Sequence, residues 1–266
     1  MDLTNNVIIH KNIRGTEFIQ FRKLLEYPNL KHCYTMRKNN INVQTKNGDK
    51  TELLYSYKKV AEALEIDWKT IVKPYQTHTD RVEIITNVDE QFEEVDGVIT
   101  NKKDIMLCTT SADCTSLFIY DDNKKVVADV HSGWRGTLKQ IGKKVVEKMI
   151  VEYGCKPEDI ICCIGPCIKK CHFEVEEDVM EMFKNEFSYT NKIDEIIEKG
   201  RVSEDGVQKY NIDTTLINEI ILREEGLKKE NIIDSGLCTV CNSDLFHSYR
   251  ADKEKSGRNG AFIGME

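Results

Sequence analysis

The chain has no apolar run approaching the roughly 18 continuous residues that a membrane-spanning helix needs, and a membrane partner is therefore not expected. Positive charge is not in excess either. Lys and Arg number 38 against 45 Asp and Glu, and the formal net charge of −7 leaves no electrostatic footprint for duplex nucleic acid or an anionic bilayer. A small-molecule ligand is the better expectation. No repeat and no low-complexity linker divides the 266 residues, of which 40% are hydrophobic, so one domain over 1–266 with a substantial core is expected. The opening MDLTNNVIIHKNIRG shows no basic segment leading into a sustained apolar stretch, so a cytoplasmic protein is expected. The sequence leaves the oligomeric state open, with a monomer favoured. Ten cysteines without a secretory leader read as free thiols, open to metal binding or nucleophilic work, rather than as a disulfide framework.

What is present organises itself around short apolar runs. RVEIIT, IMLCTT, SLFIYD, VVADVH, IICCIG, NIIDSG and GAFIGM each fit a strand. Three stretches read as helices. After Arg135, Leu138, Ile141, Val145, Met149, Ile150 and Tyr153 recur at helical spacing, with Gly154 as a stop. A second helix is expected over 175–187, and a third over 213–223, capped by Asp213 and ended near Gly226. The polar stretches TMRKNNINVQTKNGDKTE and EKGRVSEDGVQKYN read as surface loops. Strands cluster instead of alternating with helices, which predicts an α+β fold with mixed sheets over a doubly wound parallel one.

Three residues stand where a polar turn meets an apolar strand: His78 in KPYQTHTDRVEIIT, Cys114 in TTSADCTSLFIYD, and His131 in VVADVHSGWRG. Two imidazoles and a thiolate suit zinc, and three protein ligands leave one position open, as a catalytic site requires. The same residues also suit a cysteine hydrolase, with Cys114 as nucleophile and His131 as base. Their wide spacing is no local metal motif, and residue chemistry leaves both readings open. A buried core histidine remains the plain alternative for His131.

The segments QTHTDRV, DGVIT, SADCTSLFIYD, VVADVHSGWRG, IGPCIKKCHFEV, CTVCNSDLFHSYR and SGRNGAFIGM, in this order, resemble the YfiH family, also called the laccase-domain or multicopper polyphenol oxidase family. The resemblance runs from about Lys73 to the C-terminus. It implies a mixed β-sandwich with helices outside, related to the deamidase fold of cytotoxic necrotizing factor. It also implies a zinc site held by His78, Cys114 and His131 in a surface cleft. The implied activities are phosphorolysis of adenosine, inosine and S-methyl-5′-thioadenosine, together with deamination of adenosine, in which zinc activates water for attack on the purine. The small-molecule partners are then a nucleoside and phosphate, with Arg135, Arg250, Arg258 and the early Arg37 as phosphate-binding candidates through their forked donors. Arg250 and Arg258 also read as solvated surface charges. Trp134 suits stacking on a purine or anchoring the helix that follows.

Three departures from the family pattern stand out. Asn39 and Asn40 occupy the places of a glycine pair after Arg37, Thr79 replaces a serine, and Ser116 replaces a proline. The family also includes a peptidoglycan-editing amidase, which would use Cys114 and His131 on a nucleotide-linked muropeptide. A non-enzymatic zinc-binding module is a further reading. Copper oxidation is disfavoured, since six histidines with no His-x-His pair are a poor source of several histidine-rich copper sites. A second zinc site would need four ligands to converge from Cys162, Cys163, Cys167, Cys171, His172, Cys238 and Cys241. Burial in the core is the expectation for these cysteines, and the resemblance accounts for Cys167 and Cys238 without another metal.

Overall fold

Every residue of strand β8 (Thr115–Asp121) is buried, because its two faces serve two different cores. Phe118 and Tyr120 point into one apolar cluster while Leu117 and Ile119 point into another, as the twofold period of an extended chain dictates. The computed structural model describes residues 2–44 and 49–266. In it β8 lies inside a six-stranded sheet ordered β14 (Ile232–Asp234), β10 (Ile160–Ile164), β8, β9 (Val126–Ser132), β6 (Gly97–Thr100) and β5 (Val82–Ile84). The end pairs β10–β14 and β5–β6 are parallel and the inner pairs antiparallel.

A second six-stranded sheet faces it, ordered β1 (Ile8–Ile13), β2 (Thr16–Phe21), β3 (Leu30–Thr35), β15 (Asn259–Met265), β7 (Met106–Ser111) and β4 (Ile71–Val72). Only β4–β7 is parallel there. Phe21, Tyr34, Leu107, Phe118, Val127 and Ile263 fill the space between the sheets. Outside the β15 sheet lies α1 (Thr51–Leu64), whose Leu53, Tyr57, Val60 and Leu64 pack on Phe18, Cys108 and Phe262. Outside the β8 sheet, α3 (Ile141–Tyr153) and α6 (Thr214–Glu224) cover Leu117, Ile119, Ala128 and Val130. A three-stranded antiparallel sheet, β11 (Glu174–Val175), β13 (Gln208–Ile212) and β12 (Ile197–Val202), shares a fourth cluster with α4 (Glu177–Glu186), α5 (Ile193–Ile196) and α6. This is the α+β sandwich of mixed sheets that the strand clustering predicts.

The local signals hold with three corrections. Gly154 ends α3 in a left-handed conformation at φ 65°, and the Asp213 carboxylate accepts the Leu216 N–H at 2.9 Å to cap α6. The helix expected after Arg135 is two helices, α2 (Trp134–Leu138) and α3, broken where Gln140 turns left-handed at φ 56°. The break lets Leu138 face the fourth cluster while Ile141 and Val145 face the β8 sheet. The loop expected at 198–211 is instead the β12–β13 hairpin, closed by Gly206 at φ 84°. Its polarity reflects a small sheet with one face in water, not a lack of strand pairing. The third correction is α1, absent from the expected helices although Leu53, Tyr57, Val60 and Leu64 carry helical spacing; it begins inside the expected loop at 35–52, whose residues 45–48 lie outside the described residues. Among the described residues, no helix is long and apolar enough to cross a membrane.

Candidate active site

All three junction residues sit where the chain passes between sheets or leaves one. The segment 73–81 runs from β4 in one sheet to β5 in the other and carries His78. The corner 112–114 runs from β7 to β8 and ends in Cys114. His131 lies near the end of β9, on the inter-sheet face shared by Val127 and Asp129. These corners meet at one end of the sandwich, with Cys114 Sγ 3.7 Å from His78 Nε2 and all three donor atoms within 4.8 Å of one another. Ligands about 2.0–2.3 Å from a tetrahedral ion stand about 3.3–3.8 Å apart, so the group fits a metal ion with nitrogen and sulfur preference.

Asp96, fully buried just before β6, organises the group. Its carboxylate accepts the backbone N–H groups of Thr77, His78 and Thr79 and the Thr79 hydroxyl at 2.7–3.3 Å. It also contacts His131 Nδ1 at 2.7 Å, which leaves Nε2 of that imidazole for an ion. Thr79 thus keeps the hydroxyl that a serine would supply. The amide bond to Asp96 also holds His78 in a left-handed conformation, at φ 62°, that a non-glycine residue seldom adopts. Burial by itself would raise the Cys114 thiol, but the adjacent His131 and His78 imidazoles outweigh it and bring the thiol below its ordinary range. Burial would likewise lower His131, but the Cys114 sulfur and the Asp96 carboxylate hold its proton on more tightly than usual.

The turn after His131 is shaped to admit these donors. Ser132 Oγ lies 2.8 Å from Thr137 Oγ1 and donates to Asn218 Oδ1 of α6 at 3.1 Å, fixing the 132–137 turn against the helix layer. Gly133 faces the donors directly, and a Cβ there would stand 2.7 Å from His78 Cδ2 and 3.3 Å from Cys114 Sγ.

A cleft of 430 Å³ opens over the group, lined among others by Gln76, Trp134, Phe173, Tyr249, Arg250 and Arg258. Arg250 is anchored by donating to the carbonyls of His172 and Glu174 at 2.8 and 3.3 Å, and Arg258 by donating to Gly257 O at 2.9 Å. The Asp113 carboxylate accepts the Arg250 N–H at 2.7 Å and the Thr239 hydroxyl at 2.6 Å, tying the Cys114 corner to this wall. Arg135 and Arg37 lie elsewhere. Arg135 is exposed, with its guanidinium 4.1 Å from the Trp134 ring centre, and it does not line the cleft. The five-residue α2 also gives it little helix dipole to share with an anion. Arg37 does not line the cleft either, and it donates to Asp252 and the Ser243 carbonyl. Asn39 and Asn40, at φ 54° and 60°, take up the left-handed backbone that glycines would have favoured.

A family model described as multi-copper polyphenol oxidoreductase laccase matches residues 32–266. The chain belongs to this family. Among its relatives, the purine nucleoside phosphorylase YlmD of Bacillus subtilis is 33% identical over 216 residues, covering 78% of this chain and 75% of that protein. Adenosine deaminase RL5, from an unknown prokaryotic organism, is 33% identical over 215 residues, covering 77% of this chain and 78% of that protein. The crystal structure of the hypothetical protein YfiH from Bacillus licheniformis superimposes with a TM-score of 0.86 at 26% identity, covering 97% of this chain and 99% of that one. The laccase-family fold is thus shared along nearly the whole chain.

Sequence reasoning did not single out Asp96, Gly133 or Asp113. Asp96 leads the DGVIT run and Gly133 follows His131 by two residues, but nothing local says that either touches a residue from another loop.

Proposed function

We propose that this chain is a zinc-dependent purine nucleoside phosphorylase that accepts adenosine, inosine and S-methyl-5′-thioadenosine and also deaminates adenosine. The observation that carries the reading is the convergence of His78, Cys114 and His131 in a cleft that also holds two arginines and three aromatic side chains. Its volume falls in the range of about 300–1,000 Å³ usual for small-molecule sites. The names of the phosphorylase and deaminase relatives support the substrate class.

Zinc, when bound by these three residues, supplies Lewis acidity at the floor of the cleft. Asp96 orients His131, and the Arg250 and Arg258 guanidinium groups are the donors available to phosphate at the anomeric carbon. Trp134, Phe173 and Tyr249 offer flat apolar surface to the base. Zinc is preferred over several coppers because, among the described residues, the two groups of convergent His and Cys donors hold three histidines between them. The others are engaged elsewhere: His32 accepts the Phe21 N–H, His247 contacts the Ile41 carbonyl, and His10 lies beside Glu17.

A second reading has one observation in its favour, the series Cys114, His131, Asp96, in which a lowered thiol meets an imidazole held by a carboxylate. On that reading the Cys114 thiolate attacks the amide carbonyl of a UDP-N-acetylmuramoyl amino acid precursor, His131 gives its proton to the leaving amine, and water hydrolyses the thioester. Incubating zinc-loaded protein with adenosine, inosine and that precursor, with and without phosphate, and weighing the products separates the two. Phosphate-dependent ribose 1-phosphate supports phosphorolysis and a released amino acid supports the amidase. Absence of any product overturns both in favour of a binding module.

Substitutions at Arg258, Arg135 and Asp96 test the wall and the support. Arg258→Ala should raise the phosphate concentration for half-saturation by about 10- to 100-fold, the value of a lost charge-assisted hydrogen bond, with Arg258→Lys restoring part. Arg135→Ala should leave that curve within about twofold of the parent, because its side chain stacks outside the cleft and such surface contacts contribute little. Equal effects from both would refute the assignment. Asp96→Asn should weaken zinc binding by about 10- to 100-fold in a chelator competition, since it removes the negative charge beside His131 and turns one of two accepting oxygens into a donor facing other donors. Unchanged affinity would refute the orienting role.

A further inference from the structure

Of the cysteines away from the cleft, Cys33, Cys108, Cys155, Cys162, Cys163 and Cys167 are buried, as expected of free thiols in a core. Cys171 and Cys241 depart from that expectation by lying exposed. They meet Cys238 and His172, and one donor atom from each of the four side chains lies within 4.8 Å of the others. His172 Nδ1 is the hub, 3.2 Å from Cys171 Sγ, 3.5 Å from Cys241 Sγ and 3.7 Å from Cys238 Sγ, while the Cys171 and Cys241 sulfurs are 3.8 Å apart.

Backbone pairing builds this arrangement. The segment after β10 and the segment after β14 run side by side, with Cys167 N–H donating to Leu237 O and Thr239 N–H donating to Cys167 O. A turn closed by Asn242 N–H on Cys238 O then brings Cys241 back beside Cys238.

We propose that Cys171, His172, Cys238 and Cys241 bind a second zinc ion in a closed, four-ligand site, independent of the cleft reading above. Three thiolates and one imidazole form a donor set that zinc takes in tetrahedral structural sites. The 3.2–3.8 Å separations are close to the edges of such a tetrahedron, about 3.3–3.8 Å. A disulfide would use two of the sulfurs and would give no reason for an imidazole nitrogen beside all three. With four protein ligands the ion has no open position, so its role is to join two segments. Those segments matter to the cleft. Phe173 follows His172 directly and lines it, and Arg250 is anchored on the His172 carbonyl.

The test uses the full chain, loaded with zinc under reducing conditions and freed of excess metal. Metal analysis should return two equivalents for the parent, one for Cys114→Ser, one for Cys241→Ser and none for the double variant. A parent with one equivalent that Cys241→Ser leaves unchanged overturns the site. So does a disulfide within the group, found by mass after rapid acid quench and alkylation. A readout on the unmutated chain guards against a misfolded variant. N-ethylmaleimide should modify the exposed Cys171 and Cys241 only after a chelator is added, and immediate modification of the zinc-loaded protein refutes the proposal.

Discussion

On the proposed zinc reading, Cys114→Ser is expected to cost the protein its cleft metal and more than about 100-fold in nucleoside turnover. Loss of a residue that merely orients a ligand typically costs 10- to 100-fold in affinity or activity, about the scale expected for Asp96, and loss of the ligand itself should exceed it. A hydroxyl is also a poor replacement for thiolate on zinc. Zinc content and turnover measured on one preparation check both parts. The covalent reading predicts the same loss of activity, since Cys114 is then the nucleophile. The two separate on a different readout: a substrate-derived adduct trapped on Cys114 of the active parent belongs only to covalent chemistry. A serine variant with parental turnover would remove Cys114 from both accounts.

The second large effect is expected from one methyl group. Gly133 has φ −64° and ψ 166°, a conformation open to any residue, so alanine there meets no backbone penalty. Its Cβ, however, would lie 2.7 Å from His78 Cδ2, 3.3 Å from Cys114 Sγ and 3.4 Å from His131 Cε1. His131 is buried and held by Asp96, so the strain falls chiefly on the exposed His78. Gly133→Ala should therefore weaken cleft zinc by about 100-fold or more, the scale of a displaced ligand, while the melting temperature changes little. A chelator titration beside a thermal melt distinguishes this from general destabilisation. Parental zinc affinity in the alanine variant would mean that the three donors do not close on one ion beside this turn.

How far sequence reaches is clear from particular elements. The apolar runs of β7, β8, β9, β10 and β15 are visible because strands buried on both faces read as continuous hydrophobic stretches. The Asp213 cap and the Gly154 stop are visible because they act within a few residues of themselves. β12 and β13 are concealed because a strand with one face in water and polar neighbours resembles a loop. Asp96 is concealed for another reason. Its partners Thr77, Thr79 and His131 come from two other segments, and no spacing rule spans them.

The sequence by itself determined the kinds of donor available, their places at strand ends and corners, and, through its motifs, the family. Only the tertiary structure decided which donors meet. His78 and Cys114 are 36 residues apart, and they touch because two separate crossings between sheets end at the same edge of the sandwich. The same dependence moved Arg135 outside the cleft, brought Arg250 and Arg258 into its wall, and drew Cys171, His172, Cys238 and Cys241 into a second group. Strand-end position follows from local backbone preference, whereas convergence follows from pairing between distant segments, whose energy lies in contacts that no local window of sequence contains.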